Sequence, residues 1–184
     1  MKKFIISLLA IISVATLSAQ TKGEMYAGGS LGIGTYSLIS GNNNITAADF
    51  NIAPEFGYFV ANNFKIGASI SYGLESGNPL NHTIQIMPNM AYYVRVCDKF
   101  YYTPELQFGF VCGIREDISM PGFGLGLSLG SFEFRPTQKF ALSVSLLSLQ
   151  YTLMTYHDNN ETLNMSGVNF RFGTTPSVGL KYYF

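Results

Sequence analysis

The chain carries little charge of either sign and no excess of one over the other: 11 basic and 11 acidic residues, 12% of 184. That balance removes the clustered basic face a nucleic-acid binder needs, so no nucleic-acid partner is expected. Beyond residue 19 no apolar run approaches the ~20 residues a membrane-crossing helix requires, because glycine or a polar residue interrupts each one. Helical spacing of apolar residues is almost absent, which argues against a helical fold. No nucleophile elbow and no metal-ligand spacing appears, and no cofactor is implied. What the chain does hold is 19 Gly, 12 Tyr and 15 Phe. This is the composition of sheet, in a length that fits one domain.

The N-terminus is set apart from the fold. Lys2 and Lys3 precede an apolar stretch from Phe4 to Leu17, and Leu17-Ser18-Ala19 supplies small residues at a cleavage position. That is the layout of an export signal and is too short for a membrane anchor. The expected organisation is a signal peptide over 1–19, removed after Ala19, and one domain over 20–184. Without Lys2 and Lys3, acidic residues outnumber basic ones by two.

From Met25 onward the residues alternate with the period of a strand. Leu31 and Ile33 alternate with Ser30, Gly32 and Gly34, and Phe50, Ile52, Pro54, Phe56 and Tyr58 with Asn51, Ala53, Glu55 and Gly57. The clearest case sets Phe64, Ile66, Ala68, Ile70, Tyr72 and Leu74 against Lys65, Gly67, Ser69, Ser71 and Gly73. Five further segments sort the same way and give eight strands. Phase slips near Gly130 and Leu146 read as β-bulges. Pro54, Pro88, Pro104 and Pro176 lie inside predicted strands, where each removes a ladder donor, and their outward phase suggests bulges there too.

The face that carries the charge identifies the solvent. Glu55, Lys65, Arg95, Glu105, Glu133, Arg171 and Lys181 all share the small, polar face, and none falls on the apolar one. A basic residue facing lipid at mid-bilayer would cost ~2 to 4 kcal/mol, so this exclusion is what a lipid-facing surface demands. A water-soluble sandwich needs its large side chains inside, and the glycine and serine face could not fill such a core. The expected fold is all-β, an eight-stranded antiparallel up-and-down transmembrane β-barrel.

Connections alternate between tight ones, at 60–63, 96–99 and 135–139, and longer polar ones, at 38–47, 75–81, 115–121 and 157–165. In an outer-membrane barrel short turns are periplasmic and long loops extracellular, which puts both termini in the periplasm. Aromatics gather near the short turns: Tyr58, Phe59, Phe64, Tyr92, Tyr93, Phe100, Tyr101, Tyr102, Phe132, Phe134, Phe140, Tyr182, Tyr183 and Phe184. They read as an interfacial girdle.

Side chains should fill the interior of so small a barrel and leave no continuous pore. The seven inward charges are expected to form a structural network of opposed pairs that holds the lumen shut, with a gated ion or proton path as the alternative. His82 and His157 fall near the extracellular rim with Ser166, Glu161 and Asp158, so a lipid-hydrolase trio is conceivable, although the histidine strands are not neighbours. Asp158, Glu161, Glu116 and Asp117 make the loops mildly acidic, which suits solvation or an unidentified loop ligand. Cys97 sits in a short turn while Cys112 lies well up its strand. At ~3.3 Å per residue their separation exceeds the ~7 Å Cα limit for a bridge, so two free thiols are expected.

The hairpin unit Pro54-Glu55-Phe56-Gly57-Tyr58-Phe59 followed by Phe64-Lys65-Ile66-Gly67 returns as Pro88-Asn89-Met90-Ala91-Tyr92-Tyr93 followed by Phe100, with a degenerate copy from Gly130 to Phe134 and Phe140. In this the chain resembles the small outer-membrane β-barrel family of Bacteroidetes-type bacteria, related in architecture to OmpA and OmpX. The resemblance implies outer-membrane lipid and the barrel assembly machinery as partners. It also implies that the terminal Lys181-Tyr182-Tyr183-Phe184, with Tyr182 and Phe184 outward, is the assembly signal. Activity is not implied, since such barrels serve as adhesins, enzymes, small pores and structural proteins. The function expected is non-enzymatic, structural or loop-mediated at the surface; a narrow porin-like channel and a lipid-modifying enzyme are the alternatives.

Overall fold

A computed structural model describes residues 20–40, 43–76, 80–115, 118–158 and 161–184. The expected signal peptide and the acidic pair Glu116 and Asp117 lie outside the described residues. Eleven strands follow in chain order: β1 Met25–Ser40, β2 Asn43–Ala61, β3 Phe64–Glu75, β4 Asn81–Tyr92, β5 Val94–Cys97, β6 Phe100–Tyr102, β7 Glu105–Arg115, β8 Ile118–Ser128, β9 Ser131–Phe134, β10 Phe140–Asp158 and β11 Glu161–Tyr183. β5, β6 and β9 prolong β4, β7 and β8 past short breaks, so these eleven pieces make eight staves. Antiparallel pairing runs β1–β2–β3–β4–β7–β8–β10–β11 and returns from β11 to β1, which closes the ring.

Closure leaves one face inside and one outside, and burial follows the alternation. In β3, Ile66, Ile70 and Tyr72 are exposed on the outer wall while Lys65 and Ser71 are buried in the lumen. Phe50, Ile52, Phe56, Phe108, Phe110, Phe123, Leu125, Leu142 and Leu180 continue the exposed apolar band round the ring. Hydrophobic burial cannot hold such a wall together in water; it calls for hydrocarbon.

The two phase slips fall where the ladders become irregular. β10 and β11 change register between Ser145 and Leu147, and the N–H groups of Leu129 and Gly130 both reach the Leu147 carbonyl, each at 3.1 Å. The prolines differ from expectation. Ladder pairs flank Pro54 at Ile52↔Tyr72 and Glu55↔Ser69, and Pro88 at Ile86↔Phe110 and Asn89↔Gln107, with the same offset on the two sides of each proline. Each proline therefore drops a rung without inserting a residue. Across from Met87 and beside the Pro88 ring, Gly109 allows the close approach, since a Cβ there would lie 2.1 Å from the Ile86 carbonyl oxygen. Pro104 occupies the break between β6 and β7, and Pro176 falls within the β10–β11 irregularity.

The polar connections also differ from expectation. Pairing runs to Ser40↔Asn43, Arg115↔Ile118 and Asp158↔Glu161, and in the fourth case to Glu75↔Asn81. Most of what reads as loop is strand. Apolar alternation ends where the lipid ends, but a backbone ladder needs no apolar side chains and continues beyond it. β1 and β11 pair only from Tyr26↔Tyr183 to Gly32↔Ser177, while β1–β2 and β10–β11 each continue well past that level. Among the described residues no pairing joins β1 to β11 beyond Gly32.

Candidate functional site: a charged floor across the lumen

The end of the barrel with the tight turns is closed by side chains. Lys65 follows the turn at Asn62 and Asn63 and points inward, and its stem reaches along the lumen. Its ammonium meets Glu55 at 2.6 Å and Glu105 at 2.7 Å. The Tyr26 hydroxyl donates to Glu55 at 2.5 Å and accepts from Lys65 at 3.0 Å. Both Lys65 and Tyr26 are 0% exposed.

A second cluster centres on Glu133 of β9, also 0% exposed. It accepts from Lys181 at 3.0 Å, Tyr93 at 3.1 Å and Tyr183 at 2.5 Å. The Lys181 ammonium lies 4.7 Å from the Tyr26 ring centroid, which joins the two clusters through a cation–π contact. Nearer the mouth, Arg135 bonds Glu24 and Gln20 and stacks 3.8 Å from the Tyr183 centroid. Burial acts to lower the Arg135 pKa, but the hydrogen bond and charge of Glu24 outweigh it and hold the guanidinium above its ordinary range. Three cations and four carboxylates thus gather at this end of the barrel, each with an opposite partner, which is the condition on which buried charge is tolerated.

An aromatic cluster fills the space between them. Tyr26, Phe59, Tyr93, Tyr101 and Tyr183 are buried together, with Phe59 and Tyr93 edge to face at 5.0 Å. Glycine makes room for one of them: a Cβ on Gly57 would lie 2.3 Å from the Tyr26 ring. Four residues expected in the interfacial girdle, Phe59, Tyr93, Tyr101 and Tyr183, therefore belong to the interior. Strand phase, which points them inward, decides their place rather than their position at strand ends. Tyr58, Tyr92, Phe134, Phe140, Tyr182 and Phe184 remain exposed on the outer wall.

Five of the seven charges singled out from sequence meet in this floor: Glu55, Lys65, Glu105, Glu133 and Lys181. Arg95 does not. Its β5–β6 hairpin carries it away from the floor at the tight-turn end, where it pairs with Asp98 in the turn. Arg171 pairs by its backbone with Ser148, and its side chain lies outside the described residues. Sequence reasoning missed Glu24, Arg135 and Gln20, which flank the strands and have no place in the alternation. It also left the tyrosine hydroxyls out of the network, although inward phase marks Tyr26, Tyr93 and Tyr183.

Above the floor the lumen is not filled, against expectation. A cavity of about 230 Å³ stands on Glu55, Glu105 and Lys181, walled by serines such as Ser30, Ser69, Ser128 and Ser143. Another, of about 180 Å³, lies toward the far end beside Asp49, Glu75 and Thr83. Gln150 of β10 donates to Gln85 of β4 at 3.2 Å between them. The serines and glycines that line these levels are too small to meet across the ring.

The rim residues do not assemble. His82 faces the outer wall, its Nδ1 2.7 Å from the Tyr72 hydroxyl. Ser166 is exposed on β11, which three staves separate from β4 in either direction round the ring. The side chains of His157, Asp158 and Glu161 lie outside the described residues. Among the described residues no group of three or more His, Cys, Asp or Glu could hold a metal ion. Cys97 and Cys112 are both free, the first exposed in the β5 hairpin and the second paired by backbone with Ile84 and Pro121 high on the wall.

Comparison with known proteins bears on the whole ring. The Neisserial surface protein A superposes with a TM-score of 0.58 at 11% identity, over 89% of this chain and 98% of that one. The attachment invasion locus protein Ail of Yersinia pestis gives 0.51 at 13% identity, over 89% and 100%. At such identities the likeness is one of fold. No curated protein matches the sequence. The sequence itself matches the outer membrane protein beta-barrel domain over residues 4–184. The apolar wall, the closed antiparallel ring and this match agree: the chain belongs to the outer membrane protein β-barrel domain family and is a protein of the bacterial outer membrane.

Proposed function

We propose that this is a non-enzymatic barrel that strengthens the outer membrane or presents its far-end hairpins to a surface partner, and does not conduct. The observation that supports this reading is the floor: Lys65, Glu133 and Lys181, paired and buried, cross the lumen with the tyrosines packed between them. In this reading residues 1–19 are removed on export and both termini face the periplasm. Outer-membrane lipid surrounds the wall, and Tyr182 and Phe184 are read by the assembly machinery.

Purified protein in planar lipid bilayers tests this directly. The expected result is no steady current, and sustained open-channel conductance would refute it. The two cavities above the floor favour a narrow channel as the second reading, with the floor as its gate, and the same recording separates the two. A lipid-modifying activity has no support in the placement of His82 and Ser166. Unaltered lipid A in cells overproducing the protein is the expected outcome.

A further inference from the structure

Residues 20–24 lie across the closed end of the barrel and are tied down one by one. The Gln20 backbone N–H donates to Asn63 Oδ1 at 3.1 Å, and its carbonyl accepts from the Asn63 N–H at 3.2 Å. Its side-chain Oε1 accepts from the Arg135 guanidinium. The Lys22 N–H reaches Asn62 Oδ1 at 3.0 Å, and the Gly23 N–H reaches the Phe59 carbonyl at 2.9 Å. Gln20 is only 1% exposed. Yet its Nε2 is buried with no hydrogen-bond partner. A buried donor left unpaired costs about 1–3 kcal/mol, so this one atom is at odds with an otherwise satisfied residue.

We infer that Gln20, once it is the first residue of the exported chain, is converted to pyroglutamate and is seated in the floor in that form. The inference rests on the proposed cleavage after Ala19. In the reaction the α-amino nitrogen attacks the side-chain Cδ. A bond forms between that nitrogen and Cδ, the Cδ–Nε2 bond breaks, and Nε2 leaves as ammonia with a proton from the amine. No oxidant, reductant or other co-reactant is consumed.

The product retains each group of Gln20 that has a partner in the site and loses the one that has none. The lactam keeps one N–H on the former amine, which serves Asn63 Oδ1. It keeps Oε1 for Arg135 and the backbone carbonyl for Asn63. It discards Nε2, the atom without a partner. The open form fits worse on a second count. A free α-amine has an ordinary pKa of about 7.7–8.0 and is largely protonated at neutral pH, so it would add a cation to a buried residue whose side chain already bonds the Arg135 guanidinium. Burying charge next to like charge is unfavourable, and cyclisation removes it.

Intact mass and N-terminal sequencing of protein isolated from its native outer membrane test the inference. The expected chain begins at residue 20, is lighter than residues 20–184 by one ammonia, and resists Edman degradation until pyroglutamyl aminopeptidase is applied. A chain that begins at Gln20 with an open amine overturns the inference and leaves the cleavage reading standing. A different first residue overturns both. The physical reason has its own test, in which refolded chain 20–184 is compared open and after enzymatic cyclisation. The cyclised form is expected to unfold at higher denaturant, and coincident midpoints would overturn the argument from burial.

Discussion

Replacing Lys65 by methionine keeps most of the side-chain volume and removes the one cation that Glu55 and Glu105 share. The two carboxylates then face each other across the lumen with only the Tyr26 hydroxyl between them and the wall. Breaking a buried pair by removing one partner typically costs about 3–5 kcal/mol. Lys65 is fully buried, but the Glu55 and Glu105 side chains keep 16% and 22% exposure toward the cavity, so water can screen part of the repulsion. The low end, about 3 kcal/mol, is therefore expected, or more than a hundredfold in the folding equilibrium at about 1.4 kcal/mol per tenfold. The assay is denaturant unfolding in lipid vesicles, read by heat-modifiable gel migration, since the chain has no tryptophan to report by fluorescence. The triple variant Lys65→Met, Glu55→Gln, Glu105→Gln separates charge from shape: it should recover most of the loss, because a neutral set leaves no uncompensated ion. If the single variant unfolds with the wild type, or the triple fares no better than the single, the electrostatic account of the floor is wrong.

Three further outcomes follow from the same geometry. Tyr26→Phe deletes a hydroxyl that serves both Glu55 and Lys65, and by the usual worth of hydrogen bonds to charged groups should cost about 1.5–3 kcal/mol in the same unfolding assay. Gly57→Val drives two methyl groups into the Tyr26 ring, and overpacking of that kind should cost about 1–3 kcal/mol, relieved in part when combined with Tyr26→Ala. Ile70→Arg, in the middle of β3 on the outer wall, should cost about 2–4 kcal/mol in bilayers. Equal unfolding midpoints for Ile70→Arg and wild type would show that this wall does not face hydrocarbon.

Much of this was legible in the residue order because lipid imposes a strict rule on strands. Phe64 to Leu74 against Lys65 to Gly73 has one arrangement that puts no charge in hydrocarbon, and the ring realises it. The shift near Leu146 was readable for the same reason, since a bulge must restore the apolar face it interrupts. The rule fails where the solvent changes. Thr162 and Asn164 belong to strand, but in water nothing forces alternation on them. Arg95 obeyed the phase of its strand and still left the network, because the β5–β6 hairpin takes it to the tight turn and Asp98. The floor was half legible. Glu55, Lys65 and Lys181 were marked by charge on the inner face, while Glu24 and Arg135 lie in connecting segments that carry no period. Tyr93 and Tyr183 show two cues in conflict: strand-end position pointed to the headgroups, inward phase pointed to the lumen, and phase prevailed because a side chain cannot pass through its own sheet.

The pairing of β1 with β11 spans seven residue pairs and joins Tyr26 to Tyr183, nearly the full length of the chain. A cylinder sewn from its two ends has a single stitch that cannot form until every other strand is in place, and that stitch bears the largest chain-entropy penalty of any in the molecule. Here it is also short, and Pro176 stands where its next donor would be. The first stave and the last should thus be the last to zip and the first to part, so amides from Ala27 to Leu31 will exchange with solvent sooner than those of β3 even though both lie at the same depth.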